Sequence, residues 1–132
     1  MSRRRPGHRI LRQGFTLIEL LVVLAILATL LSIAAPRYFR SVDQSREVAL
    51  RQTLLVTRDA IDKYVADSGT YPASLGTLVE KRYLRQQPHD PVTDSKESWI
   101  LIPPNDSSLP GVADLKSGAP GTSADGIPFR DF

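Results

Sequence analysis

The sequence predicts an α+β fold in which a long, kinked N-terminal helix packs on a small C-terminal antiparallel sheet. Three features support this prediction. An apolar run extends from Phe15 to Ala35, a helical apolar period continues from Arg37 to Ser68, and most of the ten prolines and eight glycines follow Gly69. Because proline and glycine favour turns, the region after Gly69 is expected to be compact and rich in loops.

The apolar run is long enough to cross a membrane. Its 21 residues would form a helix ~31 Å long at ~1.5 Å per residue, close to the ~30 Å hydrocarbon thickness of a bilayer. Five of the 17 Lys and Arg residues precede Gly14, and no acidic residue does. Since basic residues favour the cytoplasmic side, the N-terminus is expected there and the C-terminal part across the membrane.

The remaining charge argues against a nucleic-acid-binding protein. Without residues 1–14 the chain keeps 12 basic residues (17 − 5) and 14 acidic residues, a net charge of −2. A nucleic-acid-binding domain would need a basic face, and none is indicated. The chain has no cysteine, which excludes disulfides and thiolate metal sites.

The second half of the long helix is expected to be amphipathic. Pro36 should kink or end the helix, because it deletes one backbone hydrogen bond. Beyond it, Leu50, Leu54 and Ile61 recur at helical spacing, and Gly69 is a natural stop. The charged residues lie mostly elsewhere around this helix and are predicted to form a solvated face: Arg46, Glu47, Arg51, Arg58, Asp62 and Lys63.

The region after Gly69 is predicted to contain one short helix and up to three strands. Ser74 would cap the helix, which extends to Leu84. The strand candidates are Ser98–Ile102, Val112–Lys116 and Ile127–Phe132. Trp99 and the tyrosines near element ends are expected to be packing residues.

The segment Gly14-Phe15-Thr16-Leu17-Ile18-Glu19-Leu20 resembles the processing site of type IV pilins and type II secretion pseudopilins. The resemblance implies that a membrane-embedded prepilin peptidase cuts between Gly14 and Phe15 and methylates Phe15. Glu19 then matches the glutamate at the fifth mature position, and Pro36 matches the proline that breaks the helix. The implied division is a leader at 1–14, a transmembrane and filament-core helix at 15–35, and a periplasmic globular domain at 36–132.

Physical chemistry supplies a role for Glu19 that agrees with this resemblance. A carboxylate within an apolar helix is unfavourable, by about 2.5–3.5 kcal/mol at the centre of a span. Cleavage would create a compensating ammonium group on Phe15. In a neighbouring subunit shifted along a filament, that ammonium would neutralise Glu19 and set the register between subunits.

Later segments resemble the G-type major pseudopilin of type II secretion. They are Tyr64–Pro72, Tyr83-Leu84, Pro88–Pro91 and the terminal stretch from Leu115 to Gly126. This resemblance implies a non-enzymatic homo-oligomeric filament subunit of the inner membrane, with other pseudopilins and the secretion platform as partners.

G-type pseudopilins bind calcium in the terminal loop, and the resemblance makes the Asp125 carboxylate and the carbonyl oxygens of Leu115 and Ser117 candidate ligands here. Calcium takes 6–8 oxygens, several of them carboxylates. Pro120 replaces one expected aspartate, and an acidic pair becomes Asp125-Gly126. A Pro/Gly turn packed without metal is therefore the favoured alternative, and no cofactor is expected.

Three other interpretations are open at this stage. The apolar run would also suit an ordinary signal peptide cut near Ser32-Ile33-Ala34, although such a signal has no use for Glu19. The protein would alternatively be a type IV pilus subunit for adhesion, motility or DNA uptake. A membrane-anchored binding domain using the loop Pro88–Pro91 is the third interpretation, and it predicts a monomer.

Overall fold

A computed structural model describes residues 14–132 of the chain. The leader predicted at 1–14 lies outside the described residues, except for Gly14. The elements are α1 (Leu17–Ser68), α2 (Leu75–Glu80), β1 (Trp99–Ile102), β2 (Asp114–Ser117) and a 3₁₀ helix (Phe129–Asp131). The chain divides into two compact units between Tyr38 and Phe39.

The described part of the first unit is an apolar helix with no protein packed around it. The most apolar window of α1 has a mean hydropathy of 2.7 and none of it is buried, so α1 is long and apolar enough to cross a membrane. Two of its hydroxyls bond within the helix: those of Thr29 and Ser32 donate to the carbonyls of Ala25 and Ala28 at 2.8 Å each. Such internal bonds satisfy polar groups that a lipid-facing helix could not expose.

Pro36 lies inside α1, which continues to Ser68. The prediction allowed the proline to kink or to end the helix, and the second alternative is wrong. One missing hydrogen bond is a local loss, whereas residues beyond it, such as Leu50 and Leu54, are buried in the core of the second unit. The kink stays a prediction.

The second unit has one hydrophobic core, built from α1 residues and the C-terminal elements. The predicted α1 stripe of Leu50, Leu54 and Ile61 is confirmed, since each is at most 1% exposed. These side chains cluster with Leu75 and Leu78 of α2 and with Trp99, Val112 and Leu115. The long helix therefore packs on a small sheet, and the α+β prediction is confirmed.

The short helix α2 begins as predicted and ends earlier. The Ser74 hydroxyl accepts a hydrogen bond from the amide of Thr77 at 3.3 Å, which confirms the cap. The helix stops at Glu80 because Arg82 adopts φ = 65°, outside helical geometry. The amides of Tyr83 and Leu84 both turn back to the carbonyl of Leu78.

The sheet has two antiparallel strands, with Trp99 opposite Ser117 and Ile102 opposite Asp114. Both predicted strands exist, shifted by one or two residues at their ends. The prediction of a third strand at Ile127–Phe132 is wrong. One isolated bridge joins Thr122 to Pro128, and a 3₁₀ helix follows. Pro128 has no backbone N–H for a sheet, which favours this outcome.

Candidate functional site

The segment predicted to be processed leads directly into α1. Gly14, Phe15 and Thr16 precede the first helical residue, Leu17. The Phe15 side chain is 87% exposed. The candidate cleavage point therefore lies at the junction between non-helical chain and helix, where a peptidase needs accessible backbone.

Thr16 caps the start of α1, a role that was not predicted from the sequence. Its hydroxyl accepts a hydrogen bond from the amide of Glu19 at 3.2 Å. The sequence signal was present, because Thr-x-x-Glu is the pattern of a capping box. The cap satisfies one of the amides that a helix start otherwise leaves without a partner.

Glu19 is exposed on the first turn of α1. Among residues 14–132 its carboxylate makes no hydrogen bond or ion pair, and only its backbone amide is engaged, by Thr16. The apolar residues beside it are exposed as well, with Leu17 at 76% and Ile18 at 70%. The single chain thus presents a carboxylate on an apolar surface without an internal counter-charge in the described region.

A second cluster of polar contacts lies where the C-terminal segment meets α1. Glu47 is only 5% exposed. One carboxylate oxygen lies 2.8 Å from the guanidinium of Arg51, and the other accepts the amide of Ala124 at 3.0 Å. The prediction of a uniformly solvated charged face is therefore wrong at this residue, because burial is offset by two charge-assisted contacts.

Arg58 departs from the predicted solvated face in the same way. Its Nε donates to Asp114 Oδ1 at 2.7 Å, and its Nη2 donates to the carbonyls of Leu115 at 3.1 Å and Phe132 at 2.8 Å. Arg51 lies over the ring of Phe132, 4.5 Å from the centroid. Helix periodicity predicted which face of α1 is buried, but not which charged side chains the C-terminal segment contacts.

The three calcium candidates have protein partners in the structure. The Leu115 carbonyl accepts a hydrogen bond from Arg58. The Ser117 hydroxyl donates to buried Asp90 and accepts from the amide of Ala119. Asp125 has a side chain 71% exposed, 3.8 Å from Arg51. Within residues 14–132, no group of three or more His, Cys, Asp or Glu side chains is arranged to hold a metal ion. These residues do not fit a calcium site.

The loop proposed for ligand binding is tied into the core. The indole of Trp99 donates to the carbonyl of Pro88 at 3.0 Å, and Trp99 is buried, as predicted. Asp90 is fully buried, and one of its oxygens accepts the amides of Val92 and Thr93. A groove of about 600 Å³ lies between this loop and α1. The fixed contacts of Pro88 and Asp90 indicate a structural role for the loop.

Comparison with known proteins gives matches to one motif and to several relatives. The family model for the prokaryotic N-terminal methylation motif matches residues 10–35. The chain is similar to type II secretion system core protein G of Klebsiella michiganensis, with 25% identity over 130 residues, 86% of this chain and 90% of that protein. Core protein G of Pectobacterium carotovorum is 27% identical over 135 residues, 92% of this chain and 85% of that protein.

A shorter match reaches 37% identity over 62 residues with the fimbrial protein EcpC of Eikenella corrodens, 47% of this chain and 40% of that protein. No solved structure matches the chain. The long matches thus extend well beyond the N-terminal motif, into the region that forms the core of the second unit.

Proposed function

We propose that the chain is a type IV pilin-like protein of the G-type pseudopilin family, a subunit of a type II secretion system that is processed after Gly14 and polymerises into a pseudopilus. Its apolar N-terminal helix anchors it in a membrane. In the proposed arrangement this is the bacterial inner membrane, with the N-terminus in the cytoplasm and residues 36–132 in the periplasm.

One observation carries the polymer proposal: the bare apolar helix with Glu19 at its start. Burying such a helix in lipid leaves the carboxylate unfavourably placed. Packing it against other copies buries the same apolar surface and brings a counter-charge. The N-terminal ammonium of Phe15, freed by cleavage, supplies that charge to Glu19 of a neighbouring copy and sets the stagger between subunits.

The role proposed for the protein is structural. Prepilin peptidase removes the leader and methylates Phe15, other pseudopilins join the filament, and an inner-membrane platform drives its growth. The filament then helps to move folded proteins across the outer membrane. The second unit, with its closed core and fixed loops, forms the outward face of the filament.

Processing is tested by mass spectrometry of the protein isolated from cells that contain prepilin peptidase. We expect a mature chain that begins at Phe15 and carries one methyl group at its N-terminus. The control Gly14→Leu should keep residues 1–14, because the bulky side chain obstructs the peptidase. A chain lacking residues 1–34 would instead identify an ordinary signal peptide and exclude the proposal.

Assembly is tested with Glu19→Ala, next to Glu19→Gln as a variant of matched size. Both variants should insert and be cleaved normally, since neither changes the cut site, yet both should form few filaments. The measurement is the sheared filament fraction, quantified against the membrane-bound mature subunit. Filaments of normal abundance from Glu19→Gln would contradict the charge-pair argument.

A further inference from the structure

We propose that the guanidinium of Arg58 closes the C-terminal segment of this protein in place of a bound calcium ion. The proposal concerns the stability of the second unit. Its test is therefore independent of whether the chain polymerises. It predicts a pseudopilin whose stability does not depend on calcium.

The oxygens around Arg58 are of the kind that calcium prefers. They are the carboxylate of Asp114 and the main-chain carbonyls of Leu115 and Phe132, at 2.7, 3.1 and 2.8 Å from the guanidinium nitrogens. Calcium is held by carboxylate and carbonyl oxygens. A guanidinium carries one positive charge and five N–H donors in a fixed plane, so it can join several such oxygens at once.

This contact links three separate parts of the chain. Arg58 projects from α1, Asp114 and Leu115 belong to β2, and Phe132 follows the 3₁₀ helix. Leu115, which is also a calcium candidate by resemblance, is fully buried. The side chain therefore holds the C-terminal segment against both the sheet and the helix.

A second arginine completes the arrangement seven residues earlier on α1. Seven residues are close to two helical turns, so Arg51 and Arg58 lie on the same side of the helix. Arg51 contacts Glu47, approaches Asp125 at 3.8 Å and covers the ring of Phe132. The guanidinium groups of Arg51 and Arg58 therefore both lie against the C-terminal region, which also contains the calcium candidates implied by the resemblance.

The sequence differences agree with this substitution. The turn from Ser117 to Gly126 contains a single acidic residue, Asp125, and Pro120 stands where the resemblance leads one to expect an aspartate. A divalent ion needs several carboxylates to balance its charge. The turn offers one exposed carboxylate, and Asp114 is already paired to Arg58. A single arginine charge therefore suits these oxygens better than a divalent calcium ion does.

The test measures thermal unfolding of the mature full-length chain in detergent, by circular dichroism, with calcium or with a chelator. A micromolar site in about 1 mM calcium would raise the Tm by more than 10 °C, on the order of 15 °C. We expect the Tm to be the same in both conditions. A calcium-dependent rise in Tm, or micromolar binding by calorimetry, would overturn the proposal.

The role of Arg58 is tested with Arg58→Met, which keeps an unbranched apolar stem and removes the charge and the N–H donors. We expect the Tm to fall by about 5 °C or more, with no recovery on adding calcium. Arg46→Met is the matched control, because Arg46 is exposed on the same helix, and its Tm should not change. Equal Tm values for the two variants would refute the proposal.

A milder variant covers the case in which Arg58→Met does not fold. Asp114→Asn keeps the shape of one partner and removes its charge. It should lower the Tm by a smaller amount, again without a response to calcium. A Tm equal to that of the unmodified protein, or a calcium response, would count against the assignment.

Discussion

Two glutamates of α1 have opposite surroundings. Glu47 is buried, and both of its carboxylate oxygens have partners within the chain. Glu19 is exposed, and its carboxylate has no partner among residues 14–132. A buried carboxylate needs its partners, because removing one of them destabilises the fold, whereas an unpaired carboxylate on an apolar surface favours association with a positive charge elsewhere. We therefore assign Glu47 to folding and propose Glu19 for assembly.

Gly118 is a residue whose side chain is excluded by close packing. Its amide donates to the carbonyl of Ser98 at 2.8 Å. A Cβ added at this position would lie 2.2 Å from that same oxygen. Since Ser98 directly precedes β1 and Gly118 directly follows β2, the backbone at neither residue can move without disturbing a strand.

Gly118→Ala should therefore destabilise the second unit, by about 1–3 kcal/mol for overpacking of this kind. The expected decrease in Tm is about 4 °C or more, measured by circular dichroism. Gly76→Ala is the control, because its added Cβ would meet only the Ser74 hydroxyl at 3.4 Å. A Tm for Gly118→Ala equal to that of Gly76→Ala would show that the strand ends adapt freely.

At the scale of elements, the loop after α2 is fastened to the end of α1 by a tyrosine. The Tyr83 hydroxyl donates to Asp67 at 2.7 Å, and its ring meets that of Tyr64 edge-on at 5.4 Å between centroids. The hydrogen bond to Asp67 is the main cause that raises the pKa of Tyr83 above its ordinary value of 10.0. The end of the helix and the loop are thus coupled through one proton.

The sign of the pH dependence follows from that shift. Because the folded-state pKa of Tyr83 lies above the unfolded value, the contribution of this bond is complete below pH 10.0 and is lost as the pH rises through the folded pKa. Asp67→Asn should lower the pKa of Tyr83 towards its ordinary value. Tyrosinate absorbance, compared between the two proteins across alkaline pH, measures the change. Superimposable titration curves would disprove the coupling.

At the scale of the whole molecule, the chain combines two compact units that differ in how much apolar surface they expose. The described part of the first unit exposes apolar side chains along its length, whereas the second unit has its own buried core. A unit with its own core is expected to fold without the apolar helix. The described part of the first unit, in contrast, has no buried core of its own, and its helix is long and apolar enough to cross a membrane.

Residues 39–132, produced alone, should be soluble and unfold in a single cooperative transition. Leu54→Ala in this fragment should lower the stability by about 2–5 kcal/mol, because it leaves a cavity at a position that is 1% exposed. Leu55→Ala is the matched control, since Leu55 is 64% exposed. A broad, non-cooperative transition of the parent fragment would mean that the second unit needs the preceding helix.

The sequence by itself determined the linear features of this protein. The membrane-length run, the helix to Ser68, the apolar stripe through Leu50 and Leu54, and the segment around Gly14 and Glu19 depend on neighbours within a few residues. Helical periodicity and local motifs report such features directly. The Ser74 cap belongs to the same group, because a cap is a contact across three residues.

Only the tertiary structure decided where Glu47, Arg58 and Asp90 belong. Their partners are separated from them by 77, 56 and 27 positions in the chain, and no local pattern marks such pairs. A charged residue on a helix reads as solvated until another segment covers it. Folding brings the C-terminal segment over α1, and it is this covering that turns Glu47 and Arg58 from surface charges into structural contacts.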